Sequence, residues 1–142
     1  MATIPKQQAK RSLVKEFNEI RSRTLELVKT LEKDDFIVQT AYFMSPPKWH
    51  VGHVSWMYET ILSKLDKNYE FYSKEFSKYL NSYYQQFGVP HDKGQRGIVS
   101  RPTVDHILEY FNIINQRVKN FIENNPLSDE YSRLFLMSIH HE

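Results

Sequence analysis

Between Val104 and Ile122, Val104, Ile107, Leu108, Phe111, Ile114, Val118, Phe121 and Ile122 form an apolar stripe. Steps of three and four put all of them on one face of an α-helix, and a strand, with its period of two, could not use them. Pro102-Thr103 opens the stripe and Asn124-Asn125-Pro126 closes it, as helix boundaries do. A helix with one apolar face has to bury it against other elements. The rest of the chain offers partners of the same kind.

The segment from about 6 to 33 carries Leu13, Phe17, Ile20, Leu27, Val28 and Leu31 at helical spacing, with Lys15, Glu16, Glu19, Arg23 and Glu26 elsewhere. Phe36 to Met44 reads as a connection. Ser45-Pro46-Pro47 then opens a second helix, about 46–67, with Ser45 in the capping position and proline in the first turn, where its missing N–H costs nothing. Trp49, His53, Trp56, Met57, Thr60 and Ile61 mark one side of it. Tyr72, Phe76, Leu80, Tyr83 and Phe87 predict a short accessory helix over about 73–87, and 88–97 (GVPHDKGQRG) reads as a loop. Ser128 caps a fourth main helix carrying Leu134, Met137 and Ile139, with His141 on the same inward stripe. This helix is still running at Glu142, so it is expected to be shorter than its partners. The expectation is an all-α four-helix bundle with an accessory helix between its second and third main helices, forming one domain over 1–142.

Composition narrows the chemistry. With no cysteine, disulfides, thiolate metal sites and cysteine nucleophiles are excluded. A net charge of +2, from 19 basic and 17 acidic residues, is too small and too dispersed to point to nucleic acid. The tyrosine-rich stretch 69–84 has Lys74 and Lys78 offset by Glu70 and Glu75, so its rings read as packing groups rather than a base-stacking platform. No apolar run nears the ~20 residues of a membrane span, and Met1 to Lys15 lacks the apolar core of a secretory signal. A cytoplasmic location is expected. Phosphate-loop, nucleophile-elbow and dinucleotide fingerprints are all missing.

Six histidines remain: His50, His53, His91, His106, His140 and His141. His50 and His53 are three apart on the second helix, and His140-His141 end the fourth. Facing helices of a bundle commonly build metal centres this way, and neutral imidazole suits zinc, iron, copper and nickel. On the residues alone, a surface His50, a hydrogen-bonded core His53 and a pair at a frayed helix end is the favoured reading. His91 and His106 read as surface groups.

Four blocks, 21–36 (RSRTLELVKTLEKDDF), 44–60 (MSPPKWHVGHVSWMYET), 81–110 (NSYYQQFGVPHDKGQRGIVSRPTVDHILEY) and the terminal IHHE, occur in one order. Together they resemble the N-terminal DinB-like domain of the ergothioneine-biosynthesis sulfoxide synthases, over about 21–142. The resemblance implies a non-haem iron(II) centre. Such enzymes use dioxygen to join a thiol to the imidazole C2 of trimethylhistidine as a sulfoxide. Three histidines hold the metal in that family. His53 matches the first, His141 matches the second, and the third would lie three positions past Glu142. Arg96 matches an arginine that binds the carboxylate of the thiol substrate, while no catalytic residue can be assigned here.

The family's formylglycine-generating-enzyme-like C-terminal domain, which supplies a catalytic tyrosine, would be a partner domain or subunit. Without it and the third histidine, the chain is expected to be incomplete as a catalyst, unless His50, His140 or a second chain completes the site. A stand-alone bundle acting as a dimeric binding or scaffold protein, with a vestigial metal site, is the alternative. A zinc-dependent hydrolase or thiol transferase on the same bundle is a third reading.

Overall fold

A computed structural model describes residues 6–82 and 89–142. Among the described residues five α-helices follow one another: α1 (Lys6–Val28), α2 (Pro47–Leu65), α3 (Lys74–Leu80), α4 (Val104–Asn124) and α5 (Asp129–His141). Short 3-10 turns at Asp35–Ile37 and Lys93–Ile98 interrupt the connections. No strand occurs among the described residues. In the bundle, α4 and α5 each pack on both α1 and α2, while α3 leans on α2. The chain is therefore the expected all-α bundle.

Side-chain caps start three of the helices. Ser73, Thr103 and Ser128 each accept from the backbone N–H three residues on, at 3.2 Å, satisfying one of the orphan donors of a first turn. Ser128 acts as expected. Ser45 does not: Pro46 holds the capping position of α2 in an extended conformation, with Pro47 as the first helical residue. The Ser45 hydroxyl instead accepts from Arg96 Nη1 at 2.8 Å. The accessory helix ends at Leu80, where Asn81 turns extended, short of the expected 87. Tyr83 and Phe87 lie outside the described residues.

The core follows the apolar stripes helix by helix. Helix α4 buries Val104, Ile107, Phe111, Ile114, Val118 and Ile122 as its spacing requires, and adds Tyr110. Helix α2 is buried on nearly every side, so Val51, Tyr58, Glu59 and Leu62 join the core beside the expected Trp49, Trp56, Met57 and Ile61. On α1 the stripe runs Leu13, Phe17, Arg21, and Leu27 is 73% exposed rather than inward. On α5 the inward residues are Leu134, Phe135 and Ser138, and Met137 faces out.

Gly52 marks a close approach of α2 to α3 and α4. A Cβ there would lie 2.6 Å from Leu80 Cδ2 and 2.9 Å from Ile107 Cδ1. Both contacts are side-chain ends, but Leu80 and Ile107 are fully buried and have little room to yield. Gly52→Ala gains about 1 kcal/mol of helix propensity and meets an overpacking cost of about 1–3 kcal/mol. A net loss of up to about 2 kcal/mol is expected in urea unfolding. An unchanged or higher midpoint would show that the Leu80 side chain repacks freely.

Candidate functional site

A pocket of about 580 Å³ opens between α1, the start of α2, the end of α5 and the Lys93–Ile98 turn. Its apolar wall is Leu27, Val28 and Leu31 of the α1 side with Val51 and Val54 of α2. Its polar lining includes His50, His53, Lys93, Arg96, His141 and Glu142. All three residues singled out from the sequence, His53, Arg96 and His141, thus line one cavity.

His53 is 7% exposed, and three neighbours set its ring. Trp49, one turn earlier on α2, stacks on it with centroids 4.3 Å apart and planes 14° apart. Trp56, three residues later, stacks at 5.7 Å. Nδ1 lies 2.7 Å from the Leu80 carbonyl oxygen. A carbonyl only accepts, so Nδ1 carries the proton and Nε2 keeps its lone pair. Burial lowers the pKa of His53 to about 4, against the Leu80 hydrogen bond; smaller contributions come from His141, Arg96 and His50. The imidazole is therefore neutral at physiological pH, the form in which it donates to a metal.

His141 meets His53 edge to face, ring centroids 5.2 Å apart. It is exposed at the pocket rim, whereas Glu142 beside it turns its carboxylate fully inward. His50 is exposed and stands edge-on to Trp49 at 5.5 Å. Partial desolvation of its ring against the pocket, then Arg96 and Lys93, lowers its pKa, against a hydrogen bond to the Ser45 backbone. His140 faces outward and takes no part in the lining. His106 is exposed as expected, but His91 is half-buried against Tyr79, ring centroids 5.6 Å apart.

Arg96 is buried, its guanidinium carbon 3.6 Å from the centroid of the Trp49 ring. It holds Ser45 through Nη1, and its backbone carbonyl accepts from the Tyr79 hydroxyl at 3.0 Å. Lys48 is also buried, its ammonium donating to the Val99 carbonyl at 2.6 Å. The second and third sequence blocks are thus knitted together along one side of the pocket. Gly94 fits this side because the Tyr42 ring lies where a Cβ would sit, at 2.2 Å.

The donors present fit a metal in part. Two imidazoles meet edge to face, and that of His53 has its second nitrogen fixed by a backbone carbonyl, as metal-binding histidines commonly have it. No group of three histidine or carboxylate side chains that could hold a metal occurs among the described residues. Neither His50, His140 nor Glu142 completes the set.

A family comparison bears on these residues. The sequence model of the DinB superfamily matches residues 16–140. The chain belongs to the DinB superfamily. The match runs from within α1 into the last turn of α5 of this DinB bundle and includes His53 and Arg96, while His141 and Glu142 lie just past it. No curated protein sequence matches the chain. Among the described residues of this DinB protein, no helix is long and apolar enough to cross a membrane.

Proposed function

We propose that this bundle is the metal-ligating part of an iron(II)-dependent sulfoxide synthase of the ergothioneine type, with His53 and His141 as two of its donors. The observation that carries the reading is the pairing of the His53 and His141 rings in the pocket, with Nε2 of His53 left as the available nitrogen. Arg96 and Lys93 add positive charge to a lining whose apolar part includes Leu27, Val28 and Leu31. A small thiol with a carboxylate suits that division: its anion toward Arg96, its sulfur toward the imidazoles. Iron(II) held there would supply a Lewis-acid and redox template for the thiol and dioxygen.

The reaction balances as thiol plus imidazole C2–H plus dioxygen giving sulfoxide plus water. The S–H and C–H bonds break, C–S and S–O bonds form, and dioxygen takes four electrons. In this reading the third donor and the catalytic tyrosine come from a formylglycine-generating-enzyme-like domain or from sequence beyond the helix described here.

Anaerobic titration with iron(II) and zinc(II) tests the reading. Weak, exchangeable binding is expected, falling at least tenfold in both His53→Ala and His141→Ala. Binding indifferent to both substitutions would remove the proposal. A second reading rests on the segment Ile37, Val38, Tyr42, Phe43 and Met44, all 43% exposed or more. An apolar surface of that kind favours a dimeric binding or scaffold bundle. Sedimentation would show that dimer, and Tyr42→Ser with Phe43→Ser would dissolve it.

A further inference from the structure

We infer that Arg21 is a positioning residue, which sets the rotation of the last turn of α5 through Glu142 and so holds His141 against His53. Arg21 is 3% exposed and reaches every main helix of the bundle from α1. Its Nε donates to Asn115 Oδ1 of α4 at 2.6 Å, and Nη2 donates to Ser55 Oγ of α2 at 2.7 Å. Nη1 spans both carboxylate oxygens of Glu142, at 3.1 and 3.2 Å. The guanidinium carbon stands 3.4 Å from the centroid of the Phe111 ring. Thr24, one turn further along α1, donates to Glu142 Oε1 at 2.6 Å.

Glu142 is thereby fixed from two positions on α1, with its side chain only 1% exposed. Its N–H still closes the helix onto Ser138, at 3.0 Å. Each residue of an α-helix turns about 100° from the last. Pinning Glu142 inward therefore fixes the direction of the residue before it. That residue is His141, at the exposed rim, where packing alone restrains a side chain little.

Burying an ion pair is a poor route to stability, because desolvating both charges consumes most of the attraction. Apolar residues of similar volume usually serve at least as well. What an ion pair with directed hydrogen bonds adds is registry. The pocket gives registry here a use, because two imidazoles must converge. The functional meaning of the inference rests on the metal reading; its geometry does not.

The test uses the full chain with isotope-labelled histidine, in wild type, Glu142→Gln, Arg21→Met, and the double variant Arg21→Met with Glu142→Met. Ring-proton contacts between His53 and His141 are read by NMR, zinc(II) affinity by competition with a chromophoric chelator, and stability by urea. Wild type should show the ring contact. Glu142→Gln and Arg21→Met should lose it and bind zinc at least tenfold more weakly. The double variant should recover the urea midpoint and recover neither the contact nor the affinity. The idea is overturned if Glu142→Gln keeps both, or if the double variant regains both, since apolar packing would then suffice. If wild type shows the ring contact but binds no zinc, the metal reading fails while the positioning role stands on the NMR result.

Discussion

Glu59→Ala is expected to destabilise the bundle by about 3–5 kcal/mol, as removing one partner of a buried charged network does. Glu59 is fully buried on α2. Its Oε1 accepts from the Tyr69 hydroxyl at 3.0 Å and the Tyr72 backbone N–H at 2.6 Å, with Arg117 Nη1 at 3.5 Å. Its Oε2 accepts from the Tyr110 hydroxyl. Arg117 closes the arrangement by donating to the Tyr69 hydroxyl at 2.7 Å and to the Glu70 carbonyl at 3.0 Å. One carboxylate thus ties the connection between α2 and α3 to α4.

Burial pushes its pKa up, and the donors from Tyr110, Tyr72 and Tyr69, then Arg117, hold it down. Truncation strands the Tyr110 hydroxyl in a place with no access to water and frees the connection. Glu59→Gln keeps an acceptor and should cost markedly less. Urea unfolding of both variants checks this, and a loss under about 1 kcal/mol for Glu59→Ala would show that water or repacking replaces the carboxylate.

The second large effect is a pH dependence carried by His53. Its folded pKa is lowered from 6.5 to about 4, so the unfolded chain binds a proton there more readily than the folded one. The stability associated with the neutral ring is complete above about pH 6.5 and is lost as pH falls toward 4. A shift of that size corresponds to about 3 kcal/mol. Glu59 acts in the opposite sense, since its raised folded pKa gives stability that is present in acid and lost as pH rises. The difference between wild type and His53→Gln isolates the histidine contribution. Across pH 7 to 4 the wild type should lose about 3 kcal/mol relative to the variant, and parallel curves would mean that the ring takes up its proton without cost.

How much of this was legible in the sequence depends on how each helix is buried. Helix α4 packs one face inward, so its spacing gave nearly the whole buried set. Helix α2 is surrounded, so a one-sided reading missed Tyr58, Glu59 and Leu62. On α1 the next step after Phe17 lands on Arg21, which a search for apolar residues passes over. Leu27 has the right composition and the wrong direction. The ion pair of Arg21 joins residues 121 positions apart, and nothing local announces such a contact. The resemblance is what singles out His53 and His141, because periodicity alone favours a buried structural histidine at position 53. Glu59 sits in a stretch, WMYETI, whose polar residues look like an exposed side. Its partners Tyr69, Tyr72 and Tyr110 offered no hint that their polar atoms converge.

The Leu80 carbonyl that orients His53 belongs to the backbone. No substitution at position 80 can delete it, because every residue carries the same oxygen. The imidazole is therefore buffered against point changes at the end of α3, and Trp49 shares the advantage through its Nε1 donation to the Tyr79 carbonyl at 2.9 Å. Length is the vulnerable quantity. A residue inserted into α3 would swing both carbonyls about 100° around its axis, taking the acceptors from the indole and the imidazole together. For these two acceptors the residue type at 79 and 80 is immaterial, although the buried Tyr79 and Leu80 side chains are constrained by packing, and insertions and deletions should be selected against.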